Sequence, residues 1–127
     1  MLETIEDLWI ILDTGIVLFT YLKEQEVNPD IFGAIVTVLD NFAEVTLKSG
    51  LEFFEIDPNI YIVIKRHHLI FFATAPQKTN FDDLMADLRM VVAKFFSIYP
   101  IDIKEKWNGT RNYFSDFRDK IESKELL

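Results

Sequence analysis

The residues best suited to chemistry are Asp13-Thr14-Gly15, which follow the apolar run Trp9-Ile10-Ile11-Leu12. A carboxylate on a tight glycine turn can activate water when a second carboxylate shares its proton, because neighbouring like charges cannot both ionise. The triplet occurs once, so such chemistry would need two copies of the chain. A plain turn, using Asp and Gly for their backbone preferences, accounts for the same residues without catalysis. His67-His68 could be read as metal ligands, but adjacent residues on a strand point to opposite faces and cannot share an ion. The pair is expected to be a solvent-facing turn histidine, His67, beside a strand histidine, His68. Asp82 and Asp83 fall where a helix should begin, where acids complement the helix dipole, and Asp87 is placed to pair with a neighbouring base. There is no cysteine. That excludes disulfides, thiolate metal sites and a cysteine nucleophile. No glycine-rich phosphate loop, GxSxG, HExxH or calcium-loop pattern occurs. The expectation is therefore a chain with no catalytic residue, metal ligand or cofactor site.

The 127 residues carry 13 Lys+Arg against 21 Asp+Glu, a net charge of −8. Phosphate neutralisation requires clustered bases, so nucleic acid is excluded as a partner. Lys104, Lys106, Arg111, Arg118, Lys120 and Lys124 form only a diffuse basic rim with acids interleaved, which reads as a solvated helix face. The first half, up to Pro58, holds 12 acids and two bases, and would be repelled by an anionic membrane. Leu8 to Leu22 is broken by Asp13-Thr14-Gly15 and preceded by acids, so neither a signal peptide nor direct membrane insertion is expected. The expected location is cytoplasmic, with membranes reached through partners.

Half the residues are hydrophobic, enough at this length for one self-sufficient core, so a single domain over 1–127 is expected, with its core at about 8–123. Leu8–Leu12 and Ile16–Leu22 are apolar, β-prone runs joined by a glycine turn, hence a hairpin. Asn28-Pro29-Asp30 supplies a cap, a proline and an acid for a helix from about Pro29 to Lys48, which Ser49-Gly50 closes. Leu51–Ile56, Ile60–Lys65 and His68–Thr74 read as an antiparallel meander. Ala75–Thr79 reads as a loop, and Thr79 or Asn80 as the cap of an amphipathic helix that Tyr99-Pro100 ends. That helix carries Phe81, Leu84, Met85, Leu88, Val91, Val92, Phe95 and Phe96 at spacings of three and four. After a linker with Ile101, Ile103 and Trp107, and a turn at Trp107-Asn108-Gly109, a last helix is expected over Thr110–Ser123. The fold class is α+β, in the order ββαβββαα. The meander strands are apolar on both faces, so a five-stranded antiparallel sheet should carry helices on both sides.

Two features exceed what a core needs. On the helix from Pro29 to Lys48 the apolar residues cover about 220°, where a helix resting on one surface needs little more than about 100°. Deep burial accounts for part of that arc, and an apolar shoulder formed by Phe32, Val36, Ala43 and Leu47 can meet another protein. The run Ile16 to Leu22 lacks the Lys, Pro or Gly that blunt an edge strand, so at a sheet edge it invites pairing through Ile16, Leu18 and Tyr21. These seven residues are the candidate partner interface.

The triplet at Asp13 resembles the catalytic signature of dimeric aspartic proteases, but Ile16 stands where that family has Ser or Ala, and its subunits are nearly all β. PAS-like small-molecule sensors are a second alternative, lacking here the convergent polar groups of a ligand cavity. Over nearly the whole chain, from Leu8 to about Ser123, the order of elements resembles the longin domain. Ile31-Phe32-Gly33-Ala34-Ile35-Val36-Thr37-Val38-Leu39 through Glu52-Phe53-Phe54-Glu55-Ile56 carries most of the likeness. The related roadblock domain places a helix before its first hairpin, for which Met1 to Asp7 is too short.

The longin resemblance implies a profilin-like sheet of order 2-1-5-4-3, which puts Ile16–Leu22 at an edge. It implies a non-catalytic scaffold of vesicle-trafficking machinery that forms a homodimer, or a heterodimer with another longin or roadblock domain. The implied partner is a small Ras-like GTPase, bound or regulated. Longin SNAREs continue into a heptad helix and a membrane anchor; ending at Leu127, this sequence is not expected to be a fusogenic SNARE.

Overall fold

A computed structural model describes residues 3–22, 51–56, 58–107, 109 and 111–122. The strands are β1 (Asp7–Leu12), β2 (Val17–Leu22), β3 (Leu51–Ile56), β4 (Asn59–Arg66) and β5 (Leu69–Pro76). After them come α1 (Phe81–Ile98), the short α2 (Ile103–Lys106), a 3-10 turn at Arg111–Phe114 and α3 (Asp116–Glu122). All strand pairs are antiparallel, and the sheet order is β2-β1-β5-β4-β3. The helix expected over Pro29–Lys48, with its shoulder Phe32, Val36, Ala43 and Leu47, lies outside the described residues.

Alternation along the strands divides the sheet into two apolar faces. Leu8, Ile10 and Leu12 of β1, Ile60, Ile62 and Ile64 of β4, and Leu69, Phe71, Ala73 and Ala75 of β5 face α1 and α3 and are buried. The other face holds Trp9, Ile11, Tyr61, Val63, Ile70 and Phe72, also buried, with the Tyr61 and Phe72 rings 5.7 Å apart. Both faces of the central strands are thus shielded, as their uncharged sequences require.

The α1 helix begins where Asn80 accepts a hydrogen bond from the Asp83 amide at 3.1 Å, a cap worth about 1 kcal/mol. Asp82 and Asp83 occupy its first turn. Its buried stripe is Leu84, Leu88, Val91 and Phe95, as the spacing predicts. Phe95 is the aromatic centre of the core. Its ring lies 5.5 Å from Phe71, 4.7 Å from Tyr99, 5.9 Å from Phe114 and 5.4 Å from Phe117.

Four boundaries differ from expectation. His68 is not in a strand: the turn between β4 and β5 is His67-His68, both at positive φ (51° and 69°), closing directly on the Arg66–Leu69 pair. β5 runs on to Pro76, because Ala75 is buried in the core and pairs with Ile60. Within the expected linker, buried Ile103 anchors the single turn of α2. The last helix is split into a 3-10 turn and α3: Phe114 packs on Tyr99 (5.0 Å) and Trp107 (5.8 Å), while Phe117 and Ile121 are buried from α3.

Candidate interaction surface

The hairpin that carries the sheet edge is built by Gly15. The Gly15 amide donates to the Leu12 carbonyl at 2.8 Å and the Leu12 amide to the Ile16 carbonyl at 2.8 Å, a three-residue loop. Gly15 sits at φ +99°, a region that residues with a Cβ avoid. Next to the loop the ladder slips: Ile10 pairs with Phe19 but Ile11 with Val17, leaving Leu18 as the extra residue of a bulge. A bulge turns two successive side chains to one side, and Leu18 and Phe19 both enter the core.

This decides where the edge-strand candidates point. Ile16 is half exposed (50%), Leu18 is buried (8%), and Tyr21 is partly buried against the core. Val17, absent from the sequence-based set, is 46% exposed beside Ile16. Leu18 can therefore contribute backbone but little side chain to a partner. Alternation alone could not have chosen Val17, because the bulge shifts the phase of the strand by one residue. Trp107 and Gly109 flank a cleft of about 500 Å³ along Ile16 to Thr20.

The far half of β2 is held by α3. Arg118 lies over the Tyr21 ring, 4.9 Å from its centroid, and donates through Nη2 to the Thr20 carbonyl at 3.3 Å. Glu122 is 3.9 Å from the Arg118 guanidinium. Burial and then the charge and hydrogen bond of Glu122 push the Tyr21 hydroxyl pKa up, partly offset by Arg118. The rings of Phe19 and Phe117 meet edge to face at 5.2 Å beneath this cluster. Arg118, a member of the basic rim, thus makes a specific contact, through a partner on another element that helix spacing cannot reveal.

Asp13 is spent on structure. Its Oδ1 accepts from Lys104 Nζ at 2.7 Å, its Oδ2 lies 2.8 Å from His68 Nδ1, and its amide donates to the His68 carbonyl at 2.9 Å. Burial raises the Asp13 pKa, but the hydrogen bonds and charges of Lys104 and His68 outweigh it and hold the carboxyl below its ordinary value. The triplet therefore ties the β1–β2 turn to the β4–β5 turn and to α2, with one contact on each carboxylate oxygen. Asp87 accepts from the Thr4 hydroxyl at 2.6 Å and the Thr4 amide at 3.1 Å, pinning the N-terminal segment to α1. Among the described residues no group of three His, Asp or Glu is placed to hold a metal ion. No helix among them is long and apolar enough to cross a membrane.

An α+β chain with this sheet, and with α1 and α3 packed on one face, has a longin/roadblock-like fold, as two solved structures bear out. The crystal structure of MglC from Myxococcus xanthus matches with a TM-score of 0.53 at 14% identity, over 77% of this chain and 92% of that one. Myxococcus xanthus MglB matches with a TM-score of 0.51 at 7% identity, over 75% of this chain and 85% of that one. At such identities the likeness is one of fold. No protein-family model and no curated protein matches the sequence.

Proposed function

We propose that this chain is a non-catalytic longin-like interaction module that pairs with a second longin- or roadblock-like domain and binds or regulates a small Ras-like GTPase. The observation that carries the reading is the β2 edge: an uncharged strand at the end of the sheet, with Ile16 and Val17 exposed beside a cleft. Soluble proteins normally blunt such an edge, and leaving it open is what pairing through a strand requires. The longin/roadblock-like fold shared with MglC and MglB supports a place in GTPase regulation. The engagement of both Asp13 oxygens supports a role without chemistry. On this reading the chain is one domain, acts as a scaffold in membrane-traffic-type machinery, and is cytoplasmic, meeting membranes through its partners.

The test is solution mass by light scattering over a range of concentrations, for the protein alone and mixed with small GTPases in GDP, GTP-analogue and nucleotide-free forms. A dimer, together with a mass shift specific to one nucleotide state, is the expected result. A monomer at every concentration that ignores every GTPase overturns the reading.

A further inference from the structure

The backbone of β2 turns its outward hydrogen-bonding groups to defined positions. In an antiparallel ladder the residues of a strand turn their N–H and C=O alternately to one neighbour and the other. The Leu12 amide bonds to Ile16 across the hairpin, and the Asp13 amide bonds to His68 in the direction of β5. Even-numbered residues of β1 therefore face β2, so Phe19 and Tyr21, opposite Ile10 and Leu8, spend their backbone groups on β1. Thr20 and Leu22 turn theirs outward. The Arg118 guanidinium on the Thr20 carbonyl agrees with that assignment.

An added strand bonding at Thr20 needs that same carbonyl. Arg118 is thus a competitor for it, held in place by the Tyr21 ring and Glu122. The edge has two halves: Ile16 to Phe19, open along the cleft with Trp107 and Gly109, and Thr20 to Leu22, closed by α3.

We propose that Arg118 is a displaceable gate on β2, and that a second copy of this chain adds its own β2 antiparallel, centred on Thr20, when Arg118 moves aside. The occupant follows from charge. In a chain of net charge −8, Val17–Leu22 has no charged residue, so two copies can lie along each other there without a like-charge contact. An antiparallel pairing of identical strands is also self-complementary about a two-fold axis, so the contact closes at a dimer. This proposal rests on the reading of the chain as a pairing module.

The test exploits the absence of cysteine. Arg118→Met keeps an apolar stem over Tyr21 but cannot bond the Thr20 carbonyl, and it makes the chain more acidic, which by itself opposes association. In sedimentation equilibrium its dimer dissociation constant is expected to fall about 25-fold, the worth of one competing hydrogen bond in each of the two protomers. Thr20→Pro removes an outward amide and no bond to β1, and is expected to abolish that gain; Val17→Lys replaces it if the proline variant does not fold. Thr20→Cys is expected to form a disulfide dimer on oxidation, faster in the Arg118→Met background, since directly paired Cα atoms lie within disulfide range. An unchanged dissociation constant for Arg118→Met overturns the gate. Stronger association that ignores Thr20→Pro and gives no Thr20→Cys cross-link overturns the β2 seam. In either case wild-type dimers or GTPase binding leave the pairing reading standing. If all variants stay monomeric and no GTPase binds, both fall.

Discussion

Asn in place of Asp13 keeps the size and one acceptor of the side chain but removes the charge that Lys104 and His68 share. The carboxylate is largely buried, with 18% of its side chain exposed, whereas Lys104 and His68 are at the surface, at 35% and 65%. Fully buried charge-assisted bonds are worth about 1.5–3 kcal/mol each, and exposed pairs about 0.2–1 kcal/mol. Two bonds at the solvent-facing end of the sheet therefore sum to about 1–2 kcal/mol. A chain of 127 residues unfolds with an entropy of about 0.27 kcal/mol/K, so Asp13→Asn should lower Tm by about 4–7 °C. The loss depends on pH with a definite sign. The Asp13 pKa is depressed in the folded state, so its contribution is fully present above the unfolded value near 3.8 and disappears as pH falls through the lower, folded value. Calorimetry of both proteins should show the gap at neutral pH and its closure below about pH 4. In a double-mutant cycle with Lys104→Met, most of the effect should appear as coupling. An equal Tm for the two proteins at neutral pH refutes the tie. A gap that persists unchanged below pH 3 assigns the effect to something other than the charge of Asp13.

Other parts of the molecule give sharp expectations. Phe95→Ala opens a cavity among Phe71, Tyr99, Phe114 and Phe117 and should cost about 3–5 kcal/mol in denaturant unfolding. Val17→Lys, at a half-exposed edge position, should change unfolding free energy by less than about 0.5 kcal/mol while removing self-association in light scattering. Among the described residues no group accepts from the buried indole N–H of Trp9, so Trp9→Phe should cost less than about 1.5 kcal/mol despite the lost ring volume; a larger loss means that the N–H is satisfied.

The amino-acid sequence by itself determined every described strand, the hairpin, the meander and α1. The reason is local: period-two runs, a glycine turn, an Asn cap and spacings of three and four are forces between near neighbours, readable without the fold. It also marked Ile16–Leu22 as free of charge and of gatekeepers, which composition shows, while its place at the edge is a matter of sheet order. The His67-His68 turn escaped it, since positive φ is usually supplied by Gly or Asn, and histidine holds it here while His68 meets Asp13 from 55 positions away. The break between the 3-10 turn and α3 escaped it too, because Phe114 is placed by Tyr99 and Trp107, which local periodicity does not encode. Only the tertiary structure decided which β2 side chains face outward, since one bulge reverses the alternation and puts Leu18 inside and Val17 outside. Only it turned Asp13 from a candidate nucleophile activator into a strut, and Arg118 from one charge among a basic rim into the cap of an edge carbonyl. Both depend on partners far apart in the chain, 91 positions for Lys104 and Asp13 and 98 for Arg118 and Thr20, and such pairs exist only once the sheet and helices have packed.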